Sequence, residues 1–178
     1  ILSAIEYRKD VDGLHPMNVC LRNSSQIGVI PCTPRGIISL LKEEGIEITG
    51  KHCVVIGRSN LVGKPMAQLM LNENASVTIC HSKTRDLAAL TRQAEILIIA
   101  IGCPNLVTAE MLKEGAVVID VGINNVDGKL VGDIYNSIDV SGIEKKAAAI
   151  SPVPGGVGPM TIASLLQNTV DLYKMHIQ

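Results

Sequence analysis

Two glycines bracket a turn whose residues could bind phosphate. Gly57 follows an apolar run at residues 53–56, and Gly63 comes six residues later, where an amphipathic segment begins. A glycine at a strand end lets the backbone approach a pyrophosphate, and the next helix offers free N–H groups and the positive end of its dipole. The second glycine permits close packing of that helix. The turn therefore predicts a dinucleotide site. Ser59 replaces the middle glycine of the common G-x-G-x-x-G motif, so a ligand-free strand-to-helix turn remains an alternative.

The residues after the next apolar run indicate which dinucleotide is bound. Proteins specific for NAD place an acidic residue at the end of the second strand, where it bonds the ribose 2′-hydroxyl. Here that run ends at Cys80 and continues with His81-Ser82-Lys83-Thr84, which contains no acid. A carboxylate would repel a 2′-phosphate, whereas Arg58, Ser82 and Lys83 could bind one through charge-assisted hydrogen bonds. The sequence favours NADP over NAD, with ordinary solvated surface charge as the alternative reading of both cations.

A second unusual stretch precedes the last amphipathic segment. Residues 152–159 contain three prolines and three glycines. So much local constraint indicates a shaped loop whose backbone N–H groups face a ligand. A stiff interdomain hinge is the competing interpretation.

The remaining polar clusters predict no chemistry by themselves. The run Lys9-Asp10-Val11-Asp12-Gly13 has the composition of a solvated turn. The four histidines show no H-x-x-x-H spacing, and five cysteines without a C-x-x-C pair indicate neither a zinc site nor a disulfide framework. We therefore expect no bound metal, and reduced thiols in a cytoplasmic protein.

Short apolar runs alternate with longer amphipathic segments from about residue 34 onward. This alternation is typical of βα units on a parallel sheet. The runs are continuous, as expected for strands covered on both faces, and they occupy residues 53–56, 76–80, 95–100, 115–120 and 148–151. The predicted fold class is α/β, a Rossmann-like doubly wound and mostly parallel sheet.

Residues typical of helix starts and helix ends lie between these runs. Thr33 is expected to cap the first helix, with Pro34 at its first position. Gly45 is expected to end this helix in the left-handed conformation that glycine favours. Further helices are expected from about Val62, around residues 87–90, and from Pro159 to about residue 174. Residues 1–32 fit no βα unit. We expect them to be the end of another domain and the crossover, followed by a dinucleotide-binding domain at 33–158 and a closing helix at 159–178 that packs back toward that other domain.

Composition excludes several partners. The chain has 178 residues, 47% of them hydrophobic and 19% charged, with a net charge of −1. Without a basic excess, and with three Tyr but no Trp or Phe, it has no platform for stacking bases, so nucleic acid is not an expected partner. The uncharged stretch at 96–109 is shorter than a membrane span of roughly 20 residues, so no membrane association is expected.

Six motifs together resemble the bifunctional methylenetetrahydrofolate dehydrogenase/cyclohydrolase family. They are KDVDG (9–13), PCTPRG (31–36), VVIGRSNLVGKPM (54–66), CHSKT (80–84), VIDVGIN (118–124) and SPVPGGVGPMT (151–161). The resemblance implies that the chain is the carboxyl-terminal, NADP-binding half of a folate enzyme. It also implies a homodimer, a remnant of the amino-terminal catalytic domain, and family Tyr and Lys residues upstream of Ile1, without which the chain alone would be inactive.

The resemblance also implies residue roles. Asp12 matches the family aspartate that bonds the folate pterin ring. Cofactor contacts are matched by Gly57, Arg58, Ser59, Ser82 and Ile123. The loop between nicotinamide and folate is matched by Pro154, Gly155, Gly156, Val157 and Gly158.

The implied activity belongs to one-carbon folate metabolism. The family oxidises 5,10-methylenetetrahydrofolate with NADP and hydrolyses the methenyl product to 10-formyltetrahydrofolate. A noncatalytic NADP-binding sensor or scaffold remains an alternative. So does a methyltransferase that uses S-adenosylmethionine, although such enzymes normally have an acid after the second strand.

Overall fold

A parallel five-stranded sheet organises the protein. A computed structural model describes residues 2–24, 28–104, 106–134 and 140–176. The strands are β1 (His52–Ile56), β2 (Ser76–Cys80), β3 (Ile96–Ile99), β4 (Val117–Asp120), β5 (Asn124–Val126), β6 (Lys129–Val131) and β7 (Ala149–Ile150). The main sheet has the order β2-β1-β3-β4-β7 with every pair parallel, and β5 and β6 form a separate antiparallel hairpin. The predicted α/β class is confirmed.

Within the described residues, six helices and three short 3-10 turns accompany the strands. The helices are α1 (Pro16–Asn23), α2 (Cys32–Glu43), α3 (Gly63–Asn72), α4 (Leu87–Thr91), α5 (Val140–Lys146) and α6 (Val157–His176). The 3-10 turns lie at Leu2–Ala4, Tyr7–Lys9 and Ala109–Met111. Helix α1 and the β5–β6 hairpin lie in stretches for which the sequence predicted no regular structure.

The sheet separates two apolar cores. Alternate residues of a strand point to opposite faces, so Cys53 and Val55 face one core while Val54 and Ile56 face the other. The first core contains Ile37 of α2 together with residues of α3, and the second contains residues of α5 and of the loop before β4. Coverage of both faces is confirmed for β1 and β3, whose apolar residues are buried.

Strand β2 differs from the expectation of two-sided burial. It is an edge strand, and of its five residues only Cys80 is buried. Helix α3 packs near one side of it, whereas Ile79 is 43% exposed. A continuous apolar run thus also occurs at a sheet edge, and the sequence pattern alone does not separate the two cases.

The first long helix begins earlier than predicted. The carbonyl of Pro31 accepts the first helical bond from the amide of Arg35, so Pro31 takes the cap position and Thr33 lies inside the first turn. The prediction that Thr33 caps this helix was therefore wrong. Its hydroxyl instead bonds the hydroxyl of Thr161 on α6, 3.1 Å away. The predicted stop at Gly45 is confirmed, because this residue has φ +66° directly after the helix.

Helix α6 also begins two residues earlier than predicted. It starts at Val157, so Pro159 lies in its first turn, where a missing N–H costs no helical hydrogen bond. This helix packs along α2 at a close crossing. A Cβ atom on Gly36 would lie 2.8 Å from the backbone of Met160, so only glycine permits this approach of the two helices.

A buried carboxylate closes the carboxyl edge of the sheet. Asp120, the last residue of β4, is 1% exposed. Its Oδ1 accepts hydrogen bonds from the amides of Gly122 and Asp133, and its Oδ2 accepts one from the amide of Ile134, each 2.9 Å long. Burial raises the pKa of Asp120, and the three amides oppose that shift. The carboxylate therefore links the residues that follow β4 to the residues that follow β6.

Asp133 continues this arrangement to the neighbouring strand. It is also buried, and its Oδ2 accepts from the amides of Ile101 and Gly102, which follow β3. Its Oδ1 accepts from the side-chain amide of Asn124 at 2.9 Å. The two carboxylates, called here the aspartate pair, fix the loops that follow β3, β4 and β6 relative to one another.

Substituting the two members of the aspartate pair by asparagine should lower the free energy of unfolding by different amounts. In Asp120→Asn the new NH2 group must face a backbone N–H, which cannot turn away, so a buried donor loses its acceptor. We expect a loss of about 1–3 kcal/mol in the free energy of unfolding. In Asp133→Asn the NH2 group can face Asn124, whose amide can flip to accept from it, so the loss should be clearly smaller.

Urea unfolding of the two variants beside the unchanged protein provides the measurement. Equal losses would contradict the proposed difference between a fixed backbone partner and a rotatable side-chain partner.

Candidate functional site

A cleft of about 540 Å³ opens at the carboxyl edge of the sheet. One wall consists of residues 120–123 at the end of β4, and the other consists of residues 152–159 with the first turns of α6. Val62, Leu130 and Thr33 complete its rim. The structure thus brings Ile123 and residues 154–158 to opposite sides of one mostly apolar cleft, which suits a flat ring.

Ile123 forms an exposed apolar ledge. Its side chain is 67% exposed, although the neighbouring Gly122 is buried and bonded to Asp120. A Cβ atom on Gly122 would collide with the side chain of Asp133, so the backbone at this point is packed tightly beneath the ledge. The ledge is therefore held by its backbone, and its side chain is free for a ligand.

The glycine-rich segment is shorter than the predicted loop. Val157 and Gly158 belong to the first turn of α6, which leaves Pro154, Gly155 and Gly156 as loop residues. Gly155 has φ +107°, a conformation that favours glycine. The amide of Gly156 donates to the carbonyl of Pro152 at 2.9 Å, and a Cβ atom at Gly156 would lie 2.5 Å from that same oxygen. Gly158, in contrast, lines the cleft, and beyond its chain neighbours and the backbone of its own helix no heavy atom lies within 4 Å of the position of an added Cβ.

Both glycines of the turn at residues 57–63, called here the phosphate turn after its predicted ligand, are required by packing. Gly57 has φ +127°, and a Cβ atom there would collide with the carbonyl of Ala100. A Cβ atom on Gly63 would collide with the carbonyl of Gly57 itself. The predicted role of the second glycine in close helix packing is confirmed.

Ser59 changes the expected chemistry of this turn. Its hydroxyl accepts from the amides of Val62 and Gly63, at 3.1 and 3.3 Å, and its carbonyl accepts from the amide of Lys64 at 3.0 Å. The prediction that these amides at the start of α3 are free was therefore wrong, because the serine in the middle glycine position accepts hydrogen bonds from them. A phosphate at this turn would depend on the helix dipole, on amides of the turn itself and on Arg58.

Arg58 and Ser82 lie at equivalent places on adjacent strands. Ile56 pairs with Cys80 in the register of β1 and β2, and each of the two predicted residues follows two positions later. Both side chains are exposed. The loop after β2 is fixed around His81, whose ring Nδ1 accepts from the amide of Lys83. A cation and a hydroxyl thus lie at one end of the carboxyl edge of the sheet, and residues 81–84 contain no acid.

Asp12 lies at the α2 side of the cleft. It is exposed, and its carboxylate interacts with the buried thiol of Cys32. Burial, followed by the nearby carboxylate of Asp12, raises the pKa of Cys32 to about 12, so this thiol stays protonated. The next residue, Thr33, lines the cleft. Asp12 therefore contacts the sequence neighbour of a lining residue and does not line the cleft itself.

Residues 2–24, 28–104, 106–134 and 140–176 meet neither the requirements of a metal site nor those of a membrane-spanning helix. No group of three or more His, Cys, Asp or Glu side chains there could hold a metal ion. The same ranges contain no helix that is both long and apolar enough to cross a membrane. All five cysteines are free.

Sequence reasoning missed the residues that position the cleft. Asp120 ends an apolar run, and an acid directly after a buried strand must find donors, which is a usable signal. Asp133 and Asn168 carry no such signal, because their partners lie 31 and 157 residues away in the chain.

Comparison with known proteins places the chain in a family. A model of the tetrahydrofolate dehydrogenase/cyclohydrolase family, NAD(P)-binding domain, matches residues 31–177. The bifunctional protein FolD of Exiguobacterium sibiricum is 55% identical over 174 residues, which cover 98% of this chain and 61% of that protein. The chain therefore spans about three fifths of the length of the curated relatives it matches.

Solved structures agree with this assignment. The FolD methylenetetrahydrofolate dehydrogenase/cyclohydrolase of Campylobacter jejuni superimposes with a TM-score of 0.93 at 52% identity, covering 99% of this chain and 62% of that one. The Trypanosoma brucei enzyme, solved with NADP cofactor and inhibitor, gives a TM-score of 0.89 at 41% identity, with the same coverage of both chains. By sequence and by fold, the chain belongs to the tetrahydrofolate dehydrogenase/cyclohydrolase family and carries its NAD(P)-binding domain.

Proposed function

We propose that the protein binds NADP along the carboxyl edge of its sheet and acts in the oxidation of 5,10-methylenetetrahydrofolate. One observation carries the proposal: the phosphate turn and the apolar cleft lie on either side of a topological switch point. The chain runs from β1 outward to β2 and then returns to β3 on the other side of β1. Open α/β sheets bind dinucleotides in the crevice at such a point.

The residues along this edge fit the parts of NADP in order. Arg58 and Ser82 lie at the β2 end, where a cation and a hydroxyl suit a 2′-phosphate. Ile123 follows β4, three strand spacings away, or roughly 14 Å. The proposed order is thus the adenosine phosphate at Arg58, the pyrophosphate at the turn around Gly57 and Ser59, and the nicotinamide in the cleft. The NADP found in the trypanosomal relative supports this choice of cofactor.

The cleft then orients the reacting rings. Bound NADP would supply the chemistry, since its oxidised nicotinamide accepts a hydride. Ile123 and the glycine-rich segment would hold that ring between two apolar walls and exclude water from its faces. Asp12 would hydrogen-bond the pterin of the folate on the α2 side. Such positioning is the main contribution of a protein to hydride transfer.

The second reaction depends on more than these residues. Water adds to the methenyl carbon, the bond from that carbon to N5 breaks, and one proton is released, which gives 10-formyltetrahydrofolate. We assign the proton-transferring group of this step to the catalytic domain that the family pairs with this one. Residues 1–32 would complete that domain, and the closing helix, predicted at 159–178, would pack toward it. A homodimer in the cytoplasm stays a prediction from the family resemblance.

No observation favours a noncatalytic sensor, which would share the phosphate turn but would not need a second ligand beside the nicotinamide. The two readings separate in an assay of the complete protein. We expect NADPH to form from NADP only when 5,10-methylenetetrahydrofolate is present. NADP binding with no turnover of that substrate would favour the sensor.

Arg58 supplies a direct test of cofactor choice. Calorimetric titration should show tighter binding of NADP than of NAD. Arg58→Ala should weaken NADP binding by about 1–3 kcal/mol, because a charged hydrogen bond to the 2′-phosphate is lost, and should leave NAD binding nearly unchanged.

Arg92→Ala provides the matched control, because it removes an exposed arginine that follows α4, before β3 begins, and thus far from the carboxyl edge. Equal affinities for the two cofactors, or equal effects of the two substitutions, would refute the assignment of Arg58.

Gly158 tests whether the glycine-rich segment faces the reacting rings. An added methyl group at this position meets no atom beyond its chain neighbours and its own helix backbone within 4 Å, so it should enter the space that a ligand needs. In the complete protein we expect Gly158→Ala to lower dehydrogenase kcat/KM by about tenfold or more, roughly 1.4 kcal/mol, with an unchanged or raised Tm.

Gly156→Ala is the contrasting variant. Its methyl group would press against the carbonyl of Pro152, so we expect it to lower both kcat/KM and Tm. Normal kinetics in Gly158→Ala would assign the segment to architecture instead of ligand contact.

A further inference from the structure

The side chain of Asn168 joins three separate segments of the chain. It lies in the middle of α6 and is 2% exposed. Its Nδ2 donates to the carbonyls of Val11 and Ile30, at 2.7 and 2.8 Å. Its Oδ1 accepts from the guanidinium of Arg35 on α2. Both hydrogens of the amide and its oxygen are therefore used in a buried position.

Arg35 fixes the orientation of this amide. A guanidinium can only donate, so the oxygen of Asn168 must face it and the NH2 group must face the two carbonyls. Arg35 is itself held by the carboxylate of Asp171 one helical turn further along α6, at 2.9 Å. The direction of the amide thus follows from charge and is not free to reverse.

The backbone held by Asn168 is the backbone that carries Asp12. Val11 directly precedes Asp12, and its carbonyl also accepts from the thiol of Cys32 at 3.6 Å. On the other side, Gly13 has φ +64° and packs so closely on Val29 that a Cβ atom would collide with the carbonyl there. The side chain of Asp12 is exposed and contacts only the thiol of Cys32 among the partners described above, so its position depends mainly on these backbone anchors.

The same helix begins with the glycine-rich side of the cleft. Val157 and Asn168 are eleven residues apart on α6, a rise of about 16 Å. A rigid helix of this kind fixes the separation between the cleft wall and the segment of Asp12. We propose that Asn168, oriented by Arg35, is a positioning residue that places Asp12 for the folate substrate. This inference rests on the proposed function, because it needs a folate beside the cleft.

The first experiment uses the complete protein with NADP present. We expect Asn168→Ala to raise KM for 5,10-methylenetetrahydrofolate by about tenfold, and to change the Kd for NADP by less than about twofold. Thr169→Ala is the matched control, since this neighbour is exposed and its hydroxyl donates to Leu165 within the same helix. An unchanged KM in folded Asn168→Ala would overturn the proposal.

A double-mutant cycle separates positioning from general support of the fold. If Asn168 acts through Asp12, then Asn168→Ala should lower kcat/KM by about tenfold in the unchanged protein and by less than about twofold in Asp12→Ala. The same fold-change in both backgrounds would show a structural role and overturn the proposal.

Arg35→Gln covers the case in which Asn168→Ala fails to fold. Arg35 is partly exposed, and its loss leaves the bonds of Asn168 to Val11 and Ile30 in place. We expect a smaller rise of the same KM, and an unchanged KM would overturn the proposal. Absence of folate oxidation in the unchanged protein would instead refute the proposed function, so the two failures are distinguishable.

Discussion

The arrangement of the site depends on one buried charge at the end of β4. Removing the carboxylate of Asp120 from water is costly unless donors replace the lost hydration. The donors are backbone amides of Gly122, Asp133 and Ile134, so the chain must return to this point after the β5–β6 hairpin. Asp133 in turn accepts hydrogen bonds from the amides of Ile101 and Gly102, so the loop after β3 is also held in place. The position of the exposed ledge at Ile123 therefore depends on the hydrogen bonds that the buried carboxylate of Asp120 requires.

The opposite wall of the cleft is fixed by other contacts. The hydroxyl of Ser151, just before the proline- and glycine-rich segment, accepts from the amide of Asp120 at 2.8 Å. That segment ends in α6, and α6 is joined to α2 through Thr161 and Thr33. Both walls thus have anchors within the protein itself. A cleft shaped in advance loses less conformational entropy when a ligand binds.

Sequence predicted the features that depend on near neighbours. The parallel sheet, the stop at Gly45 and the packing role of Gly63 follow from local patterns, and the structure confirms them. The Asp127-Gly128 dipeptide at the hairpin turn is also a local signal, since both residues have positive φ there. Other features depend on distant partners: whether β2 is an edge strand is set by the order of the sheet, and Asn168 bonds Val11 across 157 residues. Such pairings have no period or spacing that a single sequence displays.

Amide hydrogen exchange, followed residue by residue before and after NADP is added, tests the central claim that the aspartate pair forms the cleft before the cofactor binds. We expect the amides of Gly122, Asp133 and Ile134 to exchange as slowly as those of β4 in the free protein. We also expect NADP to change their rates by less than about tenfold, because these hydrogen bonds already exist. Rapid exchange in the free protein, with protection appearing only when NADP binds, would contradict the claim.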